Sequence, residues 1–337
     1  MKRNPSIVLV RVLAMSMIIF THICQFFNWV SIRSLMFGVP LFLLISGYLY
    51  GNKKVTDFKA FLFGRWEKII IPVWIFELFV FTYSSVILKI YPTFQDILIQ
   101  FLNLQGLQNI LLNSKIYPFI SCEILWFTTV IMACYFWVPV LQKMKQSNMG
   151  WYGLLVLAIL AVIMPFAGIR LSYFFVFSVG YYLPIIQKKL GKGKVTLYSL
   201  IIVLVSGVIR LMTRPVLDGS ILYNEVIVAI SFDSMAFFTV NFVNWIAEHI
   251  KTMFEKIGNH PVLIWIDGIS FYVYMTHYLF FKGFWNVRNY INGIYLQIMV
   301  LLVLSILLAL PFKYVCDKIL RYPAMKRLRT STPENYK

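Results

Sequence analysis

The stretch IVLVRVLAMSMIIFTHICQFF, residues Ile7–Phe27, decides the fold class. It is long enough to cross the hydrocarbon core of a bilayer, which takes roughly 20 helical residues. Two ionisable side chains, Arg11 and His22, interrupt its apolar run. Similar apolar blocks recur at about 35–50, 69–90, 122–141, 151–168, 171–186, 195–212, 221–242, 262–281 and 294–316. The composition agrees: 60% of the 337 residues are hydrophobic and 13% charged, where a soluble domain carries about a quarter charged. The expectation is an all-α polytopic membrane bundle of about ten spans. It forms a single domain over 1–337, with spans over 7–316 and a basic tail at 317–337.

The excess of 31 Lys and Arg over 13 Asp and Glu gives a net charge of +18. It is concentrated between apolar blocks rather than on a nucleic-acid-binding face. With the basic amino terminus in the cytoplasm, the expected inner loops hold Lys53, Lys54, Lys59, Arg65 and Lys68, then Lys143 and Lys145, then Lys188, Lys189, Lys192 and Lys194, then Lys251 and Lys256. The tail adds Lys318, Arg321, Lys326, Arg327 and Arg329, whereas the outer loops hold scattered cations such as Arg33, Lys115, Arg214 and Arg288. This asymmetry follows the positive-inside rule and places both termini inside. Met1-Lys2-Arg3 before an apolar run imitates a secretory leader, but Arg11, His22 and the absence of a small-residue cleavage site favour a retained span. Cys24, Cys122, Cys134 and Cys316 show no metal-ligand spacing and read as small apolar residues, with no disulfide expected. The outer connection 91–121 contains the amphipathic stretch Phe94–Leu112, and Asn244–His260 is its counterpart on the inner side.

Ionisable residues inside spans are costly and tend to face a cavity, a partner or a substrate path. Arg11 and His22 stand eleven residues apart, which returns the second to nearly the azimuth of the first, roughly 16 Å along the axis. An Arg offers fixed donors to phosphate, and a neutral imidazole takes a proton from a hydroxyl near pH 7. A pantetheine-like arm has a comparable length. The plain alternative is an Arg snorkelling to the interface and a His in a structural hydrogen bond. Further intruders are Glu77, Glu123, Glu225, Asp233, Asp267 and His277. The expected topology puts Glu123 and His277 in the same outer layer as His22.

At these positions the chain resembles the membrane acyltransferase 3 family. The resemblance rests on Arg11-x10-His22, on Gly38-Val-Pro-Leu-Phe-Leu-Leu-Ile-Ser46-Gly47-Tyr-Leu, on Arg65-Trp-Glu-Lys68-Ile-Ile-Ile-Pro72, on Leu125-Trp126-Phe127 and on Tyr274-Met-Thr-His277. Lys68 departs from the family's usual second Arg and loses planar bidentate phosphate binding. The resemblance implies transfer of an acyl group, acetyl as first expectation, from acyl-CoA to a hydroxyl of a cell-surface polysaccharide or its lipid-linked precursor. His22 would act as general base or transient acyl carrier, and Arg11 would orient the donor. Arg65 and Lys68 would meet its phosphates, with Ser46 and Gly47 allowing close approach of the donor or of a neighbouring helix. Glu123, Trp126 and His277 would serve the acceptor. No bound cofactor or metal is expected; the partners are acyl-CoA, a carbohydrate and the plasma membrane lipid. A glycan or solute transporter and a non-catalytic subunit of a biosynthetic complex are the competing readings, although the later half holds no second Arg-x10-His pattern.

Overall fold

A computed structural model describes residues 4–29, 36–116 and 118–321. Met1-Lys2-Arg3, Arg33, Lys326, Arg327 and Arg329 lie outside the described residues. The chain is 81% helical with no strand among the described residues, so the all-α bundle holds. In order, the helices are α1 (Pro5–Phe26), α2 (Gly38–Gly51), α3 (Phe58–Val86), α4 (Phe94–Phe101), α5 (Trp126–Gln146), α6 (Gly150–Ile163), α7 (Ser172–Leu190), α8 (Lys192–Leu217), α9 (Val228–His249), α10 (Lys251–Gly258), α11 (Pro261–Phe281) and α12 (Ile294–Leu320).

Every one of the ten apolar blocks lies on a helix. Among the described residues seven stretches are long and apolar enough to cross a membrane: α1, α3, Glu123–Gln146, Gly150–Ala167, α8, Leu222–His249 and α12. The remaining three blocks map onto α2, which has 14 residues, onto α7 and onto α11. Asp267, His277 and several tyrosines dilute the apolar character of α11.

Local chemistry sets the helix starts. Asn4 caps α1 by accepting from the Ser6 amide, with Pro5 in the first turn where its missing N–H costs nothing. Asp57 caps α3 through the Ala60 amide, and Thr93 with Asp96 forms a reciprocal capping box on α4. The third span therefore begins well before the expected residue 69. Lys59, Arg65 and Lys68, expected in a loop, sit on the first turns of α3, because charged residues interrupt hydropathy without interrupting helix formation. Lys188, Lys189, Lys192 and Lys194 are likewise helical, since α7 passes to α8 through Gly191 alone, at φ +82°. A side chain there would be strained.

Two compact units are built from this order. The first comprises Met1–Lys54 with Val140–Gly268, the second Val55–Pro139 with Ile269–Lys337. In the first unit α2 lies backbone to backbone on α7. A Cβ on Gly47 would collide with the Phe177 carbonyl oxygen and stand 2.9 Å from the Tyr181 nitrogen, while one on Gly180 would meet the Leu44 carbonyl. Small residues permit such contact in membranes, where apolar burial alone gives no drive for helices to associate. Buried polar bridges add direction: Gln187 Nε2 donates to Asn241 Oδ1 at 2.8 Å, and the hydroxyls of Ser206 and Ser234 pair at 2.8 Å. Lys145 Nζ donates to the Gly51 carbonyl at 2.6 Å, closing the end of α2.

In the second unit Thr276 donates to the Ser305 carbonyl at 2.8 Å, joining α11 to α12, and Trp285 Nε1 donates to the Tyr83 hydroxyl at 2.8 Å. The 91–121 connection folds against α3 and α5. Trp74 stacks on Phe101 and donates to its carbonyl at 3.1 Å. The Gln100 amide bridges Glu77 Oε1 at 2.9 Å and the Phe119 amide at 3.0 Å. Thr128 and Thr129 donate to Asn103 at 2.7 and 2.8 Å. Glu77, an intruder by sequence, is thus an anchor for this segment.

The apolar residues that remain exposed face outwards along whole helices. On α8 these include Leu204, Val205, Val208, Leu211 and Met212, and only 17% of the apolar windows of α8 and α12 is buried inside the protein. Water would penalise such faces heavily. Lipid does not.

Candidate active site

On α1, Arg11 and His22 are both half-buried. The Arg11 Nε stands 3.3 Å from Asp267 Oδ1, an ion pair within the first unit in which the carboxylate is 8% exposed and the guanidinium side chain 38%. His22 Nδ1 lies 3.1 Å from Gln25 Oε1, one turn further along the helix. An amide oxygen only accepts, so in this orientation Nδ1 carries the hydrogen and Nε2 the lone pair. That is the tautomer a general base requires, and the arrangement of base plus orienting partner is the one nucleophile-activating sites use. Ser46 and Gly47 belong to the same unit and are buried, Gly47 in the contact with α7 described above.

The second unit holds the other expected site residues. Arg65 and Lys68 are one turn apart on α3; the Arg65 guanidinium lies 6.0 Å from the Phe61 ring centre, and Lys68 is exposed. Between them Glu67 is 1% exposed, a carboxylate that the sequence reading passed over. Two motifs distant in sequence come together here. The Tyr274 hydroxyl donates to the Ile124 carbonyl, and its ring meets Phe127 at 6.1 Å. The Leu125-Trp126-Phe127 and Tyr274-x-x-His277 motifs are therefore fastened to each other. Glu123 forms the 3-10 turn before α5, and Trp126 opens that helix. His277 is fully buried, with Nδ1 3.1 Å from the Val273 carbonyl, which again leaves the lone pair on Nε2.

The intruders Glu225 and Asp233 stand elsewhere in the first unit. Both border a cavity of about 360 Å³, walled mainly by Ala161, Val176, Ile202 and Phe237, whose lining includes neither Arg11 nor His22. Glu225 is held by Arg170 at 2.5 Å, and Arg170 also donates to the Tyr173 hydroxyl at 3.0 Å. Gln25 and Arg170 were missed from sequence. The first was within reach, because three residues is one helical turn; the second required knowing which helices pack.

All four cysteines are buried, and none is in a disulfide among the described residues. Among the described residues no group of three or more His, Cys, Asp or Glu is placed to hold a metal ion.

Over residues 4–314 the chain matches the acyltransferase domain family known as acyltransferase 3. It belongs to that family. This acyltransferase 3 member finds no match among curated proteins or solved structures. The match spans both units, from the capping Asn4 to within a few residues of the end of α12, so all five motifs lie inside it. It is a multi-pass membrane acyltransferase.

Proposed function

We propose that the protein is an O-acyltransferase of the plasma membrane that moves an acyl group, acetyl as first expectation, from acyl-CoA to a hydroxyl of a cell-surface polysaccharide or its lipid-linked precursor. The observation that carries this reading is the α1 stripe: an ion-paired Arg11 and an imidazole whose hydrogen is held on Nδ1 by Gln25. Nε2 of His22 accepts the proton of the acceptor hydroxyl as that oxygen attacks the thioester carbonyl. The C–S bond breaks as the tetrahedral intermediate collapses, and the departing thiolate takes the proton back from the imidazolium, so the base is regenerated and the charges balance. Arg11 orients the donor, and Arg65 with Lys68 attracts its phosphates from the inner face. Glu123, Trp126 and His277 serve the acceptor. A general base contributes about 10²–10⁴-fold to such a step.

The test uses purified protein, labelled acetyl-CoA and glycan fractions. Label appearing on glycan supports the proposal; movement of glycan across the bilayer without label supports transport instead. His22→Ala is expected to insert and fold while transfer falls at least about a hundredfold. A His22→Ala protein as active as wild type would remove the imidazole from the reaction.

A further inference from the structure

We infer that Asp267 is a positioning residue for Arg11, holding the guanidinium by its Nε edge so that the two terminal nitrogens are presented to an anionic donor phosphate. The inference rests on the donor-orienting role proposed for Arg11.

Three observations lead to it. The closest approach of the pair is through Nε, at 3.3 Å, rather than through the terminal fork. Among the described residues neither terminal nitrogen of Arg11 makes a hydrogen bond, and the side chain is 38% exposed, so the fork that matches phosphate geometry is not engaged by the ion pair. Asp267 is only 8% exposed on an apolar helix turn, Ile264-Trp-Ile-Asp267-Gly-Ile269, where an ionisable group is costly unless it serves something.

Simple charge compensation is the competing explanation, and it predicts the opposite sign. A carboxylate beside an anion-binding Arg weakens anion binding electrostatically, because it cancels the attracting charge. If Asp267 only neutralises Arg11, its removal makes the site more positive and the donor binds more tightly. If Asp267 holds the guanidinium in place, its removal lets a long, flexible side chain disperse, and the donor binds more weakly.

The experiment measures the dissociation constant of acetyl-CoA and, in parallel, label transfer, with purified protein in lipid nanodiscs. Asp267→Ala is expected to raise the dissociation constant about tenfold. Asp267→Glu keeps the charge but displaces it by one methylene; it is expected to raise the constant several-fold with thermal stability close to wild type, a change that a pure neutraliser would not produce. Should Asp267→Ala fail to fold, Asp267→Glu alone decides. Wild-type protein that binds and transfers, with both folded variants binding as tightly as wild type or more so, overturns the role of Asp267 alone. Wild-type protein that neither binds acetyl-CoA nor transfers label overturns the donor reading of Arg11 and this inference with it.

Discussion

The proposed chemistry of His22 depends on how its imidazole is oriented. Gln25 sits a turn away on the same helix and its amide oxygen faces Nδ1 at 3.1 Å. A hydrogen bond of this kind is worth about 1 kcal/mol, which corresponds to roughly a fivefold change in rate. Gln25→Leu is accordingly expected to lower kcat by roughly fivefold with little change in KM for the donor, as steady-state kinetics will read. An unchanged kcat would mean that the ring is held by something other than this amide. His277 differs in its surroundings. It is fully buried and points Nδ1 at its own helix backbone, while Tyr274, a turn earlier, ties α11 to the strand of chain leading into α5. The sequence placed these residues together as a motif. It did not reveal that the tyrosine is the fastener.

Between elements, two contacts bear on stability. Arg170 and Glu225 are about one-fifth exposed and pair at 2.5 Å. Removing one member strands the other charge where water cannot reach it well, a loss of about 3–5 kcal/mol for buried pairs. Arg170→Ala is therefore expected to lower the thermal transition markedly, and the double variant Arg170→Ala with Glu225→Ala to recover part of the loss. Additive losses in the double variant would show that the two do not act as a pair. The second contact is Gly47 against Phe177 and Tyr181. Gly47→Val is expected to destabilise by more than the 1–3 kcal/mol usual for overpacking, because the collision is with main chain rather than with a side chain that swings aside. Unfolding in mild detergent measures it; a wild-type transition would mean that the helices can part without cost.

For the molecule as a whole, the solvent is lipid, and the outward faces of α6, α8 and α12 are written for it. Placing a Lys in the middle of α8 at Leu204, which is 59% exposed, costs roughly 2.5–3.5 kcal/mol of insertion free energy. Leu204→Lys is expected to reduce the membrane-inserted fraction, as protease protection will show, whereas Leu204→Phe leaves it unchanged. At this scale the sequence was legible, since each of the ten apolar blocks lies on a helix and, among the described residues, seven stretches are long and apolar enough to cross a membrane. What it hid were events without a hydropathy signature. The start of α3 was lost because Lys59, Arg65, Glu67 and Lys68 ended the apolar window while the Asp57 cap and good helix formers carried the helix on. The partners of Arg11, Glu225 and Gly47 were lost because they come from segments far away along the chain. Arg11 and His22 themselves were legible, because one helix carries both.

The early start of α3 has a consequence of its own. Its 29 residues make a rod about 43 Å long, against a hydrocarbon layer of roughly 30 Å, and Arg65 and Lys68 ride on that rod instead of on a pliable tether. Their bearing around the axis is locked in phase with everything beyond Pro72. One residue inserted between Lys68 and Pro72 would swing both cations by about 100°, and four would bring them nearly back to their original heading, one turn further out.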